Sequence, residues 1–195
     1  QVENVKASNI KLQSDIKALE NKMSKTENGV NDKIDDLEQY SRRQCLRIEG
    51  VEVKKNSDDS DPVMEIVQSC FLEAGLKFPS TVIDRAHRVG PIYKDRKKRD
   101  CQTIIVKFTN FDCRTAFYRK RNLLKDKWLR IDLAKKNYGI LQESIKLINK
   151  EQGKPTAYIF ADINCRLAIA DTNNGNRSFI KSFEDVQLFL GQSSA

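Results

Sequence analysis

Hydrophobic residues recur every seven positions along the first forty residues of the chain. One series starts at Val2 and a second at Val5, and together they mark the a and d positions of a heptad repeat. A seam sustained over more than five heptads predicts a coiled coil over residues 1–41. The residues that we expect to form its oligomer contact are Val2, Val5, Asn9, Leu12, Ile16, Leu19, Met23, Val30 and Leu37.

A lone amphipathic helix packed on its own domain is the competing interpretation of this segment. A helix of this length spans about 60 Å, which is more than the rest of the chain covers. Asn9 at an a position is expected to fix the register, and Val and Ile at a with Leu at d favour a dimer. Thr26, Lys33 and Tyr40 interrupt that pattern, so the heptads alone leave dimer and trimer open.

From Cys45 onward the hydrophobic pattern changes from helical spacing to alternation. Strands are predicted at 45–51, 81–89, 102–109 and 128–133, and helices at 62–75 and 111–125. Asp61 followed by Pro62 is expected to cap the first of these helices, and residues 90–100 are expected to form a basic loop. The order β-α-β-β-α-β predicts a ferredoxin-like α+β domain over residues 42–132, with two helices behind an antiparallel sheet whose other face is open.

The last third of the chain predicts a small α+β domain over residues 133–195. A helix ended by Gly153 and Pro155 is followed by strand candidates at 157–163, 166–171 and 177–181. Ser182 with Asp185 resembles a capping box for a final helix. A unit of this size barely supports its own core, so we expect it to pack against the preceding domain. The expected apolar stripe of its first helix is Ala134, Tyr138, Leu141, Ile145 and Ile148.

Positive charge is concentrated beyond the coil. The chain has a formal net charge of +8, whereas its first 41 residues hold six basic and eight acidic side chains. An excess of this kind points to an anionic partner. Any one of these side chains is more simply a solvated surface charge, but together they favour nucleic acid. The candidate phosphate contacts are Arg42, Arg43, Arg47, Arg85, Arg88, Arg96, Lys97, Lys98, Arg99, Lys107, Arg119, Lys120 and Arg121.

The alternation of inward and outward side chains along the first and third strands indicates how such a surface would bind nucleic acid. Arg47, Ile105 and Lys107 are expected on the open face, where RNA-recognition motifs carry stacking aromatics on the same two strands. We therefore expect contacts to phosphates, which are salt-sensitive and weakly selective for sequence. Because the joint between coil and sheet holds arginines, oligomerisation would gather several weak sites at high effective concentration.

Catalytic and metal chemistry find little support in the sequence. Five scattered cysteines form no CxxC pair and are expected to be reduced thiols in an intracellular protein. His87 is the only histidine and has no identifiable nucleophile or metal partner, while the acidic residues 58–61 suit a loop and a helix cap. We expect no enzyme activity, no metal and no cofactor. No apolar run approaches the ~18 residues of a membrane span, so no membrane partner is expected.

Several segments of the chain, taken in their order along the sequence, resemble one protein family. The stretches "LEQYSRRQCLRIEGV", "VIDRAHRVG", "IIVKFTNFDCRTAFYRKRNLL" and "LRIDLAKKNYGILQES" behind a coiled coil are similar to the RNA-binding protein from the first open reading frame of LINE-type non-LTR retrotransposons. The resemblance implies a homotrimer with an RNA-recognition motif and a basic C-terminal domain. Such proteins bind single-stranded RNA, and we expect single-stranded DNA as well.

The resemblance also implies a role and a set of residues. Proteins of this family coat the element's RNA as a cytoplasmic ribonucleoprotein and act as nucleic-acid chaperones in transposition; a nuclear pool is left open. The family's basic positions correspond here to Arg43, Arg47, Lys97, Lys98, Arg99 and Lys107. The family's arginine in the C-terminal helix has no match around Leu141.

A function of another class stays open at this point. A coiled-coil scaffold whose RNA-recognition-like domain binds a protein would share the same patterns. It would lose its function with the coil, and RNA would not compete with its partner. A nucleic-acid-processing enzyme is disfavoured because no metal or nucleophile constellation is found.

Overall fold

A computed structural model describes residues 2–53, 62–150, 157–173 and 175–193. The chain is α+β and divides into two compact units, Gln1–Tyr40 and Ser41–Ala195. The domain boundaries expected after residues 41 and 132 remain predictions. The predicted loop acids 58–61, with the Asp61 cap, and the predicted helix end at 153–155 lie outside the described residues.

The first unit is one long helix, α1 (Val2–Arg42), whose last two residues belong to the second unit. Its predicted seam is uncovered in a single chain: Leu12, Ile16 and Leu19 are more than half exposed. Met23, Val30 and Leu37 are exposed to a similar degree, and Asn9 is exposed as well. The side chains of Val2 and Val5 lie outside the described set. A helix with this exposed apolar stripe is compatible with a coiled coil.

The second unit begins with a four-stranded antiparallel sheet of order β2-β3-β1-β4. Two helices alternate with its strands along the chain. Its elements are β1 (Cys45–Glu52), α2 (Val63–Glu73), β2 (Ile83–Lys94), β3 (Asp100–Phe108), α3 (Phe111–Arg119) and β4 (Trp128–Ile131).

One face of this sheet is buried against both helices. Leu46 and Ile48 of β1 and Ile104, Val106 and Phe108 of β3 are fully buried, as their alternation predicted. Aromatic rings join the layers: Phe71 of α2 lies 4.7 Å from Phe117 of α3 and 5.9 Å from Phe108, centroid to centroid. Each buried aromatic of this kind contributes about 2–3 kcal/mol of hydrophobic stabilisation. The opposite face is therefore the one available for function.

The basic loop expected at 90–100 is wrong, because β2 continues to Lys94 and β3 already begins at Asp100. Gly90, at φ +72°, lies where the β2–β3 register shifts, so the glycine marks a bulge and not the end of the strand. The connection is a tight turn over 95–99. Asp95 organises it, since its carboxylate accepts hydrogen bonds from the N–H groups of Lys97 and Arg99, both 2.9 Å.

Both helices behind the sheet differ slightly from their predicted bounds. Pro62 is the residue before α2 and not its first helical residue. Helix α3 ends at Arg119 and is followed by a 3-10 turn, Arg121–Leu123, so the predicted helix to residue 125 is too long. Asn110 begins α3 by accepting a 2.6 Å hydrogen bond from the N–H of Asp112.

The C-terminal part contains a second antiparallel sheet of order β5-β6-β7. Its elements are α4 (Lys135–Lys150), β5 (Ala157–Ala161), β6 (Leu167–Asp171), β7 (Arg177–Ile180) and α5 (Phe183–Ser193). The capping box is confirmed: Asp185 accepts from the N–H of Ser182 at 3.0 Å, and the Ser182 hydroxyl accepts from the N–H of Asp185 at 3.3 Å. Helix α5 therefore begins where the sequence indicated.

The apolar stripe expected on α4 is partly wrong. Ile148 is buried as expected, but Tyr138 is 50% exposed and Ile145 lies on the surface. The buried line instead passes through Ile140 and Ser144, whose hydroxyl donates a 2.6 Å hydrogen bond to the Ile140 carbonyl. That internal bond lets a polar residue lie in the core, which the count of apolar residues did not reveal.

The two sheets share one buried apolar cluster that extends from Leu46 to Leu190, so the C-terminal part packs against the preceding part as expected. Arg114 of α3 is completely buried at this junction. Its guanidinium donates to the carbonyl of Ile163 at 2.7 Å and to Cys165 Sγ at 3.4 Å. Burial lowers the pKa of Arg114 from its ordinary value.

We predict that Arg114→Met lowers the free energy of unfolding by about 2–4 kcal/mol, because the Ile163 carbonyl loses its donor inside the protein. Urea unfolding monitored by circular dichroism measures the change. Arg119→Met is the matched control, since Arg119 is an exposed arginine at the end of the same helix. Equal unfolding midpoints for the two variants would show that the buried guanidinium is dispensable.

Candidate nucleic-acid interface

The open face of the first sheet carries polar side chains in rows set by strand register. The central row crosses all four strands: Arg47 of β1 lies opposite Arg130 of β4 and Ile105 of β3, and Ile105 lies opposite His87 of β2. Cross-strand neighbours of this kind are about 4.5–5.5 Å apart at Cβ. The row therefore places two arginines side by side on this face, Arg130 exposed and Arg47 half-buried.

A second row lies nearer the coil exit. Cys45 is opposite Lys107, and Lys107 is opposite Arg85. Lys107 forms a 2.9 Å ion pair with Asp84, and the hydrogen bond from Lys107 holds the pKa of that carboxyl below its usual range. Arg85 is exposed and has no ion-pair partner among the described residues. Of these two predicted contacts, Arg85 is thus the more readily available to an incoming phosphate.

An acidic residue that the sequence did not single out governs the arginines at the joint. Asp132, which follows β4 and is 3% exposed, lies 3.1 Å from Arg42 Nη1 and 3.5 Å from Arg47 Nε. Because Trp128 and Arg130 point to the open face, simple alternation also places Asp132 there, so the sequence did contain the signal. Arg42 and Arg47 are therefore partly neutralised before any ligand arrives.

Arg43, the third arginine of the joint, is half-buried. Its backbone carbonyl lies 3.9 Å from Cys165 Sγ, in the turn after β5. Burial raises the pKa of the Cys165 thiol, so it stays protonated and can donate to that carbonyl. The segment that leaves the coil is thus held against the C-terminal part of the same unit.

Of the four cations predicted in the β2–β3 turn, two form ion pairs with carboxylates and two do not. Arg99 pairs with Asp95 at 2.6 Å, and Lys97 pairs with Asp126 at 2.6 Å. Burial acts to raise the pKa of Asp95, but hydrogen bonds from Arg99 and Lys97 outweigh it and hold that pKa below its ordinary value. Arg96 and Lys98 are exposed and form no ion pair within the described part of the chain.

The remaining predicted contacts lie away from the open face. Arg88 aligns with buried Ile104 and donates to the carbonyl of Glu52 at 3.1 Å. Arg119 and Lys120 are exposed at the end of α3, in the helix layer. Arg121 lies over the Tyr118 ring, 4.7 Å from its centroid. These four cations therefore do not extend the rows of the sheet.

Two aromatic residues on the open side were missed. The central strands β1 and β3 lack aromatics there, as expected, but the edge strands supply Tyr93 and Trp128 at the end of the sheet distant from Cys45. Trp128 is 48% exposed and lies opposite Glu49, which pairs with Arg130 at 2.7 Å. For Trp128, a large aromatic at the start of a predicted strand with Arg130 two residues later is the signal that the sequence offered.

The second sheet carries its own aromatic and basic surface. Phe179 is 58% exposed, and the Arg166 guanidinium lies 3.9 Å from its ring centroid. Tyr158 and Phe160 stack with centroids 5.6 Å apart, and Arg177 lies 5.8 Å from the Phe160 ring. This surface gives the C-terminal part cations and rings of its own, although no residue of it was singled out from the sequence.

No known family profile matches the chain, and no curated protein matches it significantly. Within the described ranges, no helix has the length and apolar character needed to cross a membrane. The same residues contain no group of three or more His, Cys, Asp or Glu side chains placed to hold a metal ion.

We predict that Asp132→Asn lowers the free energy of unfolding by about 1–3 kcal/mol, because a buried carboxylate between two guanidinium groups becomes a neutral amide. Chemical denaturation measures the loss. The control is Asp126→Asn, whose ion pair with Lys97 is exposed on both sides and screened by solvent, so this change should leave the stability close to that of the unmodified protein. If both variants unfold alike, Asp132 does not organise the joint.

Proposed function

We propose that this protein is a single-stranded nucleic-acid binding protein and chaperone of the kind that LINE-type retrotransposons encode. The observation that carries the proposal is the pair Arg47 and Arg130 on the sheet face opposite the helices, with exposed Arg85, Arg96 and Lys98 on the same unit. Cations in such rows suit a phosphate backbone and read little sequence. The expected ligand is single-stranded RNA, with single-stranded DNA bound as well.

The sheet supports the finer fold assignment. Its order β2-β3-β1-β4, with α2 and α3 on one face, is the arrangement expected of a ferredoxin-like RNA-recognition motif. In such domains the open face is the usual RNA surface. We assign the main binding surface to that face and an additional one to the arginines of the C-terminal sheet.

Chaperone activity agrees with the way the cations are held. Lys97, Lys107 and Arg47 each lie beside a carboxylate, so a phosphate must compete with an internal partner. Contacts of this kind are individually weak and exchange quickly. A surface with many of them neutralises strands and still lets them re-pair, without enzymatic turnover.

We propose that α1 assembles the chain into a homotrimer. Its exposed apolar stripe needs a partner, and a second copy of the same helix provides a matching seam. The heptads alone leave dimer and trimer open, so the trimer rests on the family resemblance. Oligomerisation would multiply the weak sites, and the expected product is a cytoplasmic ribonucleoprotein on the element's RNA.

The first test is fluorescence anisotropy of a labelled single-stranded RNA of arbitrary sequence, titrated at several salt concentrations with residues 1–195 and with residues 41–195. We expect binding that falls steeply with salt, is insensitive to sequence and weakens when the coil is removed. Analytical ultracentrifugation of the full chain should give three copies. Absence of binding at low salt would favour a protein-binding scaffold.

A second test removes the unpaired cations. The triple variant Arg85→Gln, Arg96→Gln, Lys98→Gln should flatten the slope of log affinity against log salt by about 2, because each phosphate contact on a single strand contributes about 0.7. The matched control is Lys11→Gln, Lys17→Gln, Lys25→Gln, which removes the same charge from the outer face of the coil. Equal slopes for the two triple variants would contradict the assignment of the surface.

A further inference from the structure

At the end of the sheet distant from Cys45, the open face forms a hollow of about 490 Å³. Two edge strands and the turn between β2 and β3 form its walls, and the middle of the sheet forms its floor. Its lining includes Glu49, Tyr93, Arg96, Trp128 and Arg130. Aromatic rings thus meet two of the cations described above, Arg96 and Arg130, in one concave site.

Trp128 is held in this hollow by the backbone of β1. A β-carbon on Gly50 would lie 3.0 Å from Cζ3 of the indole and 2.6 Å from the Asp126 carbonyl, so only a glycine lets the ring lie there. Gly50 also adopts φ +79°, which suits glycine. The indole therefore has a fixed support on one side, while 48% of the side chain stays exposed.

Tyr93 is anchored to the same glycine. Its hydroxyl accepts a 2.8 Å hydrogen bond from the Gly50 N–H, and its side chain remains 37% exposed. Both aromatics are thus positioned by one bulge of β1, where its register with β3 shifts between Ile48 and Val51. A stacking surface that is ordered before the ligand arrives loses little entropy on binding.

The charges around the rings are arranged for a nucleotide. Arg96 is exposed at the rim without an ion-pair partner in the described part of the chain, and Arg130 is exposed beside Trp128. Glu49 pairs with Arg130 at 2.7 Å and adds a carboxylate within the lining. A carboxylate repels phosphate but accepts N–H groups of a base edge, so the backbone is directed to the rim and the base to the interior.

We propose that this hollow binds one unpaired nucleobase, stacked on Trp128, while the adjoining phosphates contact Arg96 and Arg130. The inference rests on the proposed nucleic-acid binding and adds a base-dependent subsite to it. A base inside a duplex is already stacked and paired, so the subsite selects single strands. Stacking accepts every base, so it adds affinity without strong sequence preference.

Trp128 is the only tryptophan of the chain, which makes its emission a direct reporter of the subsite. The full chain is titrated with a twelve-nucleotide oligo(dT) and with an abasic oligodeoxynucleotide of the same length, and anisotropy of an end label measures binding of each. We expect both to bind and only the base-bearing strand to quench Trp128. Binding of both with equal emission overturns the subsite alone, whereas binding of neither overturns the proposed function as well.

Substitution separates stacking from a structural role. Trp128→Leu should weaken oligo(dT) at least about fivefold, the lower end for loss of one base–aromatic stack, and leave the abasic strand unchanged. Tyr138→Leu is the control, because Tyr138 is exposed to the same extent on α4. A Trp128→Leu effect that is equal for both strands would show a merely structural contribution and overturn the proposal.

Discussion

The organisation of the unit Ser41–Ala195 depends on one buried guanidinium. Arg114 has no access to water, so its donors must find acceptors inside the protein. Ile163 and Cys165, both in the turn between β5 and β6, accept from its two terminal nitrogens, whereas Nε has no acceptor, and the rings of Phe111 and Tyr118 lie 5.4 and 5.6 Å away. The turn is therefore fixed against α3, and the second sheet is fixed with it.

The same unit controls its positive charge with carboxylates. Asp84, Asp126 and Asp132 each lie beside a cation that the sequence offered as a phosphate contact. A surface built in this way has a weaker field than its content of Lys and Arg suggests. The paired cations on this surface are also better ordered, because a carboxylate already orients each of their side chains. The exposed cations then make the first contact, and the paired ones respond to it.

The hydrophobic periodicity correctly predicted those features that residues close in sequence determine. The inward face of β3 and the Ser182 cap followed from local spacing, and both are confirmed. The continuation of β2 through Gly90 did not, because a glycine that ends a strand and one that forms a bulge look alike until a partner strand is known. Alternation along β4 could place Asp132 and Trp128 on the open face, but their partners could not be predicted, because those partners come from elements distant in sequence.

The ion pairs at the joint also constrain how this chain changes over generations. Arg42 ends α1 and Arg47 lies in β1, yet both pair with the buried carboxylate of Asp132, which directly follows β4. A neutral residue at 132 removes the shared carboxylate from both arginines, and loss of both arginines removes two cations from a buried carboxylate. The three positions are therefore expected to covary among related sequences. A sequence in which only one of them has changed is expected to be less stable.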